Sequence, residues 1–480
     1  MHHDGSRTGS ITIRGSSKPH KELHMCRNGS STLSHLIVLA LVVGFSVTGA
    51  ASAPYGDNPT DHAKDDTTWY KALIDTGAFL GRPLSVAVDS VTGRTFVAYY
   101  DGLDGDLWLA REVGSGGNCG PSDSFQCLLI DSDGDVGKYN SIDVVTDSTS
   151  HQVHISYHDQ SAGALKYARV SITNSGPIFK VTQTIATGGM GLIRGRHTSI
   201  KLDSQNTPYI GYQSDLALGD ESLYVARLVG NGSGNCGTGD VEGDWQCDLV
   251  YSAEGTAQQN SLALSPSGKP RVAFYDGLTG YPKIAAFNGS QWLISTVTRP
   301  GKDCGHHVSL YVDDSGGNHI AYVNQTDESL EYASPASGGN CGGGAWDCIV
   351  IDDVGPTAAN LAIVEDEHDY PMIAYQSTVM GNFLKLARPN AALDTPGGNC
   401  GPGVFPLYTW TCSLVAQGTP STTVGTYLDL DIRETGGAAV AYTLSAMVES
   451  DLLVAYDDGF AIFNDRFETG SSSWWSSTSP

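Results

Sequence analysis

The sequence has little positive charge. Its 480 residues include 27 lysines and arginines against 52 aspartates and glutamates, which gives a formal net charge of −25 at pH 7. A surface of that sign repels the phosphates of nucleic acids and the head groups of anionic lipids. We therefore expect no nucleic-acid partner.

Signatures of common catalytic and nucleotide-binding sites are also missing. The sequence contains no G-x-S-x-G nucleophile elbow, no H-E-x-x-H zinc motif, no P-loop and no dinucleotide-binding fingerprint. Its many aspartates supply too many carboxylate pairs for any one pair to be singled out as an acid/base couple. The sequence thus predicts no cofactor and leaves open whether the protein is an enzyme.

Long apolar runs are absent outside the N-terminal region. Residues 35–53 contain a short apolar stretch that ends in Ala51-Ser52-Ala53, the small-x-small pattern of a signal-peptidase site. A single membrane anchor is the alternative, but the apolar stretch is short for one. We expect a leader at 1–53, with Met25 as a second candidate start, then a linker at 54–68. The mature chain is expected outside the cell or in the periplasm, without membrane insertion.

One repeated unit fills the rest of the chain. Each unit starts with an apolar strand, mostly after a serine, and the first strands begin at Ser85, Ser141, Ser199, Ser261, Ser309, Asn360 and Tyr427. A polar turn follows, and then a second strand built on one aromatic residue: Tyr99, Tyr157, Tyr212, Phe274, Tyr322, Tyr375 and Tyr442. Third and fourth strands such as 107–111 and 127–131 complete the unit. Four short strands per unit, without helical periodicity, indicate an all-β, seven-bladed β-propeller of four-stranded blades.

The seventh unit stops after its third strand, at 452–456. The missing fourth strand lies at the other end of the chain, where residues 69–75 read like residues 125–131. An N-terminal strand would therefore complete the last blade and close the ring, which leaves no open sheet edge. We expect the propeller to span 69–463 and a tail to follow at 464–480.

Two kinds of string carry a family resemblance. The repeats contain V-A-Y-Y-D at 97–101 followed by G-D-L-W-L-A-R at 105–111, and the chain ends in F-N-D-R-F-E-T-G at 463–470. The repeats resemble those of exported bacterial propellers related to sialidase-type (BNR-like) repeats. The tail is similar to the F-x-D-G-F-E-S-G signature of exported proteobacterial proteins, with Arg466 in place of glycine. The Asp-box of sialidases, S-x-D-x-G-x-x-W, is missing, so the resemblance does not imply sialidase activity.

Eight of the ten cysteines fall in four pairs between third and fourth strands: Cys119/Cys127, Cys236/Cys247, Cys341/Cys348 and Cys400/Cys412. A hairpin brings both flanks of such a loop together, so we predict a disulfide in each. Metal binding would need closer cysteine pairs or nearby histidines, which these loops lack. Cys26 leaves with the leader. We expect Cys304 to be a buried free thiol, with a nucleophile as the alternative.

An acidic turn offers the one candidate metal site. Asp131, Asp133 and Asp135 alternate along the chain, and alternate carboxylates can converge on Ca²⁺. The turn lacks the glycine and the glutamate that complete a calcium loop of the EF-hand type. We therefore expect an acidic turn without metal, with calcium binding as the alternative.

Basic and aromatic residues share one register of the repeat. Three positions before the first-strand anchor, the units carry Arg82, Lys138, Arg196, Gln258, His306, Thr357 and Val424, and the next position adds Tyr139, His197 and His307. Loops that lead into the innermost strands of a propeller converge at one axial mouth. The basic groups form either an anion-binding pocket at this mouth or a counterweight to Asp101, Asp159 and Asp276 at the ends of second strands.

The sequence thus predicts an exported, monomeric binding protein that recognises an anionic glycan at the axial mouth or a protein partner. The alternative is a polysaccharide lyase or glycosidase that acts on acidic polymers. In that case Arg82, Lys138 or Arg196 would neutralise a uronate, and Tyr139, His197, His306 or His307 would move protons. A purely structural role is the third interpretation.

Overall fold

The computed structural model of the protein describes residues 69–457, apart from 147–149, 174–175, 190, 217–220, 254–255, 359, 394–397, 402–408, 434–435 and 448. The expected leader (1–53), linker (54–68) and tail (464–480) lie outside the described residues. Within the described residues, no helix combines the length and the apolar character that crossing a membrane requires.

The described chain folds into seven four-stranded antiparallel sheets, which are numbered as blades 1 to 7 in chain order. The strands of each blade are given from the innermost to the outermost. Blade 1 consists of β2 (Leu80–Val88), β3 (Thr95–Asp101), β4 (Asp106–Glu112) and β5 (Phe125–Asp131). Blade 2 consists of β6 (Val136–Thr146), β7 (His151–Asp159), β8 (Ala164–Thr173) and β9 (Gly176–Ala186). Blade 3 consists of β10 (Leu192–Leu202), β11 (Pro208–Leu216), β12 (Glu221–Leu228) and β13 (Trp245–Ser252).

Blades 4 to 7 complete the ring. Blade 4 consists of β14 (Thr256–Leu264), β15 (Pro270–Asp276), β16 (Tyr281–Phe287) and β17 (Trp292–Thr296), and blade 5 of β18 (Cys304–Val312), β19 (Asn318–Asn324), β20 (Ser329–Pro335) and β21 (Trp346–Asp353). Blade 6 consists of β22 (Leu361–Glu365), β23 (Pro371–Ser377), β24 (Phe383–Pro389) and β25 (Trp410–Gln417). Blade 7 consists of β26 (Thr423–Ile432), β27 (Ala438–Ser445), β28 (Glu449–Tyr456) and β1 (Tyr70–Ala78). Short 3₁₀ helices lie at Gly239–Val241, Gly342–Gly344 and Asn390–Leu393.

The N-terminal strand completes the last blade. β1 pairs with β28, from Tyr70 opposite Tyr456 to Ala78 opposite Glu449. The innermost strands β2 and β26 also contact each other, so blade 7 joins blade 1. The predicted seven-bladed propeller, closed by an N-terminal strand, is confirmed.

The serines that begin the first strands bind neighbouring blades to each other. Ser141 Oγ of blade 2 accepts the N–H of Ile200 in blade 3 at 3.1 Å, and Ser199 Oγ accepts that of Leu262 in blade 4 at 2.9 Å. Ser261 and Ser309 make the same bond to the next blade. Because each bond satisfies a backbone donor of an innermost strand, the repeated serine is explained by blade packing.

The anchors assigned to blades 6 and 7 are wrong by two residues. Ala362 lies opposite Ala374, next to Tyr375, in the way that Ser85 lies opposite Ala98 in blade 1. The equivalent residue of blade 7 is Asp429, opposite Ala441. Alanine and aspartate replace the serine in these two blades, so the serine signal is lost there. Thr357 and Val424 consequently do not share the register of the basic residues.

The four predicted disulfides are present: Cys119–Cys127, Cys236–Cys247, Cys341–Cys348 and Cys400–Cys412. Closing loops of this length stabilises a fold by roughly 2–3 kcal/mol each, chiefly by restricting the unfolded chain. Cys304 is free and buried. Burial raises the pKa of its thiol to about 12, which argues against a nucleophile at neutral pH.

Charged groups between blades complete the packing of the second-strand aromatics. Tyr157 of blade 2 donates a 2.6 Å hydrogen bond to Asp131 of blade 1, and Lys166 of blade 2 pairs with the same carboxylate at 2.6 Å. Blades 5 and 6 repeat the arrangement with Asp352, Tyr375 and Lys385. A tyrosine and a lysine of one blade thus share a carboxylate of the preceding blade.

The charges are reversed between blades 4 and 5. Glu331 stands at the position of the lysine, opposite Tyr322, and Arg299 from the connection between the two blades faces it at 2.8 Å. Tyr322 and Asn324 donate to the same carboxylate at 2.8 and 2.7 Å. Because both charges change sign together, the attraction between the blades is kept.

Candidate functional site

A cavity opens on the propeller axis at the end where the innermost strands begin. Its volume is about 280 Å³, and residues from all seven blades line it. One lining residue per blade stands two positions before the first-strand anchor, and these seven residues, called the mouth ring below, are Pro83, Tyr139, His197, Gln259, His307, Asn360 and Tyr427. Tyr139, His197 and His307, three of the predicted ligand-binding residues, therefore come together.

The backbone of the mouth ring is held in an unusual conformation. Tyr139, His197, Gln259 and His307 have φ between 47° and 59°, which bulky residues rarely adopt. Each stands where β-bulges interrupt the pairing between the innermost strand and the second strand. Strain of this kind costs about 1–3 kcal/mol per residue and persists where the surroundings enforce it. Its repetition in four consecutive blades marks the mouth as a candidate binding site.

In three of these four blades, a glycine stands two positions earlier, where the chain passes close to the preceding blade. Gly195 has a φ of 87°, and a Cβ at this position would lie 2.6 Å from Leu165 Cα. Gly305 in blade 5 has a φ of 104°, and a Cβ there would lie 2.6 Å from the backbone nitrogen of Pro282. Only glycine fits both the conformation and the space.

Hydrogen bonds between blades fix the mouth ring. Asn140 donates to the carbonyl of Pro83 at 3.1 Å, Thr198 to that of Tyr139 at 2.5 Å, and Asn260 to that of His197 at 2.5 Å. In blade 5 the backbone N–H of His307 donates to Gln259 Oε1 at 2.5 Å. The ring is therefore organised before any ligand arrives, which reduces the entropy lost on binding.

The two histidines of the ring are neutral at physiological pH. Burial lowers the pKa of His197 to about 3, helped by the positive charge of Arg196. Burial likewise lowers the pKa of His307 to about 4. The rings of Tyr139 and His197 lie 4.5 Å apart between centroids. The blade 2 to blade 5 side of the mouth thus presents neutral aromatic, imidazole and amide groups.

The neutrality of these histidines can be measured by NMR. We expect the imidazole resonances of His197 and His307 to keep their chemical shifts between pH 5 and pH 8, because both pKa values lie near 3 to 4. The variants His197→Ala and His307→Ala assign the two signals. A midpoint near pH 6.5, the usual value for histidine, would contradict the environment described here.

The basic residues next to the ring are paired with carboxylates. Lys138 Nζ lies 2.6 Å from Asp135, Arg196 Nη1 lies 2.6 Å from Asp215, and His306 Nε2 lies 3.3 Å from Asp303. None of these three lines the cavity. Arg82 belongs to β2, and its side chain lies outside the described part of the structure. The anion-binding patch expected from the sequence therefore remains a prediction.

In two of these three pairs, a tyrosine of the preceding blade also contacts the carboxylate. Tyr100 of blade 1 donates to Asp135 at 2.7 Å, and the Lys138 ammonium lies 5.4 Å from the centre of its ring. Burial acts to raise the pKa of Asp135, but the hydrogen bonds from Lys138 and Tyr100 outweigh it and hold the pKa below its usual value. Tyr275, Asp303 and His306 form the same group between blades 4 and 5. These groups join neighbouring blades around the mouth.

The acidic turn does not gather its carboxylates around one point. Asp131 is engaged by Tyr157 and Lys166, and Asp135 by Tyr100 and Lys138. Among the residues that the structure describes, no group of three or more histidine, cysteine, aspartate or glutamate side chains could hold a metal ion. The arrangement fits charge pairing between blades.

The sequence does not identify four members of the ring, Pro83, Gln259, Asn360 and Tyr427, or the lining acid Asp429. Gln259 was passed over because it is neither basic nor aromatic like its neighbours. Asn360, Tyr427 and Asp429 were missed because the anchors of blades 6 and 7 were misplaced. The string Gly-x-x-x-Ser, which ends at Ser85, Ser141, Ser199 and Ser309, locates the ring residue two positions before the serine in four of the seven blades.

No protein-family model matches the sequence, and no curated protein matches it. The chain is similar to the solved structure of a fucose-specific lectin from Aleuria aurantia (14% identity, TM-score 0.39, 70% of this chain and 96% of that chain). It is also similar to the polysaccharide lyase Uly1 (12% identity, TM-score 0.44, 78% of this chain and 89% of that chain). A third similar structure is the NanB sialidase from Streptococcus pneumoniae (11% identity, TM-score 0.38, 85% of this chain and 71% of that chain). Similarity at this level does not identify a ligand.

Proposed function

We propose that the protein is an exported glycan-binding propeller that holds a sugar ring in the axial mouth. The observation that carries the proposal is the mouth ring itself, in which four bulky residues are held at positive φ around one cavity. A cavity of about 280 Å³ is at the small end of the range for ligand sites in proteins. It therefore fits one or two sugar rings better than a folded partner.

The chemistry of the ring suits a polyhydroxylated ligand. His197 and His307, being neutral, each carry one donor and one acceptor nitrogen, and the side chains of Gln259 and Asn360 carry both kinds of group. Tyr139 and Tyr427 add aromatic faces with a hydroxyl at the edge. Sugar hydroxyls both donate and accept, while the C–H faces of the sugar ring are apolar.

We propose a non-acidic glycan, in contrast to the anionic one expected from the sequence. Lys138, Arg196 and His306 are already neutralised by carboxylates. A carboxylate on the ligand would have to displace these partners, and it would approach a molecule with a net charge of −25. Neither obstacle affects a sugar without acidic groups.

Binding is favoured over a lyase or glycosidase activity. Proton transfer is most efficient when the pKa of the catalytic group lies near the working pH. The pKa values of His197 and His307, about 3 and 4, make both imidazoles weak bases at neutral pH. Their neutrality suits hydrogen bonding. The four disulfides are consistent with a protein that works outside the reducing cytosol.

The test is a glycan screen followed by titration of ring variants. We expect the purified protein to bind at least one neutral or amino glycan from a panel that also contains uronate and sialic acid glycans, without producing new reducing or unsaturated ends. His197→Ala should weaken that binding at least tenfold, because a hydrogen bond and a ring contact in the cavity are lost.

His368→Ala is the matched control. His368 lies in the turn between β22 and β23, at the end of the innermost strand remote from the mouth, and its side chain is 70% exposed. This variant should bind as the unmodified protein does. Binding confined to acidic glycans, or an affinity that His197→Ala leaves unchanged in a folded protein, would refute the proposed site.

A further inference from the structure

One carboxylate stands among the described residues that line the mouth cavity. Among the described residues that line it, Asp429 of β26 is the only acid, and there is no lysine or arginine. His197 and His307 are neutral at physiological pH, as shown above. Among the described lining residues, Asp429 is therefore the only one that carries a charge at physiological pH.

Near Asp429, more carboxylates than ammonium groups interact with one another. Lys201 of β10 interacts electrostatically with Asp143 of β6 and with Asp429 and Asp431 of β26. Burial acts to lower the pKa of the Lys201 ammonium, but the three carboxylates outweigh it and raise the pKa. Three carboxylates thus share a single ammonium, and burial raises the pKa of each of them. A further positive charge beside them would favour their ionised forms.

Asp429 keeps capacity for another hydrogen bond. Its Oδ2 accepts the N–H of Val86 at 2.9 Å, and its Oδ1 accepts the N–H of Leu430 at 2.9 Å. An ionised carboxylate offers about four acceptor positions, so about two remain. The bond to Val86 is the one that serine makes in other blades, where no charge is needed to hold the neighbouring strand. The hydrogen bond to the neighbouring strand therefore does not itself require a charge at this position.

We propose that the sugar held in the mouth carries a protonated amine and that Asp429 receives it. The inference rests on the proposed glycan-binding function and names the class of sugar. An ammonium group would gain a charge-assisted hydrogen bond to Asp429, and no lysine or arginine stands among the described lining residues to compete for it. An N-acetyl group or a hydroxyl at the same carbon would gain only a neutral donor.

Matched sugars test the inference by calorimetric titration at pH 7. Glucosamine, N-acetylglucosamine and glucose differ only at C2, and galactosamine, N-acetylgalactosamine and galactose form a second set. We expect the amine of the recognised set to bind roughly tenfold more tightly than the other two members. In Asp429→Ser this preference should disappear, because the amine sugar should lose more affinity than the hydroxyl sugar does.

Serine is chosen because it stands at the equivalent position of five other blades, so Asp429→Ser is expected to fold. Asp431→Asn is the control, since Asp431 lies on the same strand but outside the cavity lining. Asp431→Asn removes a nearby charge but leaves the carboxylate of Asp429 in place, so this variant should keep most of the preference for the amine sugar. Asp429→Asn, which keeps an acceptor oxygen for Val86, serves if Asp429→Ser is unstable.

Acid should also remove the preference. Burial raises the pKa of Asp429 to about 6, with its neighbours Lys201 and Asp431 acting in opposite directions. At pH 5 Asp429 is largely protonated, while His197 and His307 are still neutral, so the amine loses its partner and the cavity gains no charge. We expect the three members of a set to bind with similar affinity at pH 5.

The results separate this inference from the function beneath it. Equal binding of amine, N-acetyl and hydroxyl sugars at pH 7 would contradict the proposal that the recognised sugar carries a protonated amine. It would leave the proposed glycan binding intact. A preference that survives Asp429→Ser would overturn the role of Asp429. Binding of no sugar in either set or in the glycan panel would overturn the proposed function, and the inference with it.

Discussion

A chain that begins after Ala78 is expected to lose its cooperative unfolding transition or to melt at least about 10 °C lower than the longer chain. Such a chain lacks β1, the outer strand of blade 7. Trp69 and Ile74 are 3% and 0% exposed, so their removal strips both faces of the packing around β28. It also leaves β28 as an open edge and Tyr99 without its acceptor Asp75.

Thermal melting followed by circular dichroism measures the effect. The control is a chain that begins at Asp65, because it keeps Trp69 and the whole of β1. We expect this control to melt as the longer chain does. Equal melting temperatures for the chains that begin at Asp65 and at Phe79 would mean that β1 does not close the ring.

The second large effect is expected at the junction of blades 4 and 5. Glu331 is fully buried and accepts hydrogen bonds from Arg299, Tyr322 and Asn324. Glu331→Ala should lower the free energy of unfolding by about 3–5 kcal/mol, because Arg299 and two polar groups lose their partner inside the protein. Glu331→Lys should cost more, since it brings two positive charges together.

A double variant distinguishes loss of the charge pair from a general destabilisation by any substitution of Glu331. Arg299→Asp combined with Glu331→Lys gives this junction the charges found between blades 1 and 2, where Asp131 meets Lys166 and Tyr157. We expect it to recover at least half of the stability that Glu331→Lys loses, as measured by urea unfolding. If the double variant is no more stable than Glu331→Lys, the reversed pair does not hold the blades together.

The fold could be predicted from the sequence because its signals are local and repeated. The second-strand aromatics, the polar turns and the cysteine loops recur in fixed order, and a propeller stacks such units side by side. Even the closure by β1 followed from one missing strand and one surplus strand. Chain order alone was enough to assign every blade.

The candidate site was only partly predictable because it depends on contacts between units. The sequence placed Lys138, Arg196 and His306 in one register, but their carboxylate partners come from loops and from a neighbouring strand end, which a register does not show. Nor does the sequence show that burial keeps His197 and His307 neutral. Three of the basic residues that are close in the repeat register are therefore each paired with a carboxylate in the folded protein.

The most direct test of the proposed function is a crystal structure of the protein with the glycan that binds most tightly in the screen. We expect one sugar ring in the axial cavity, within hydrogen-bonding distance of at least two of His197, Gln259 and His307 and in contact with the ring of Tyr139. A sugar bound only between outer strands or at the disulfide loops, with the mouth empty at saturating glycan, would contradict the account.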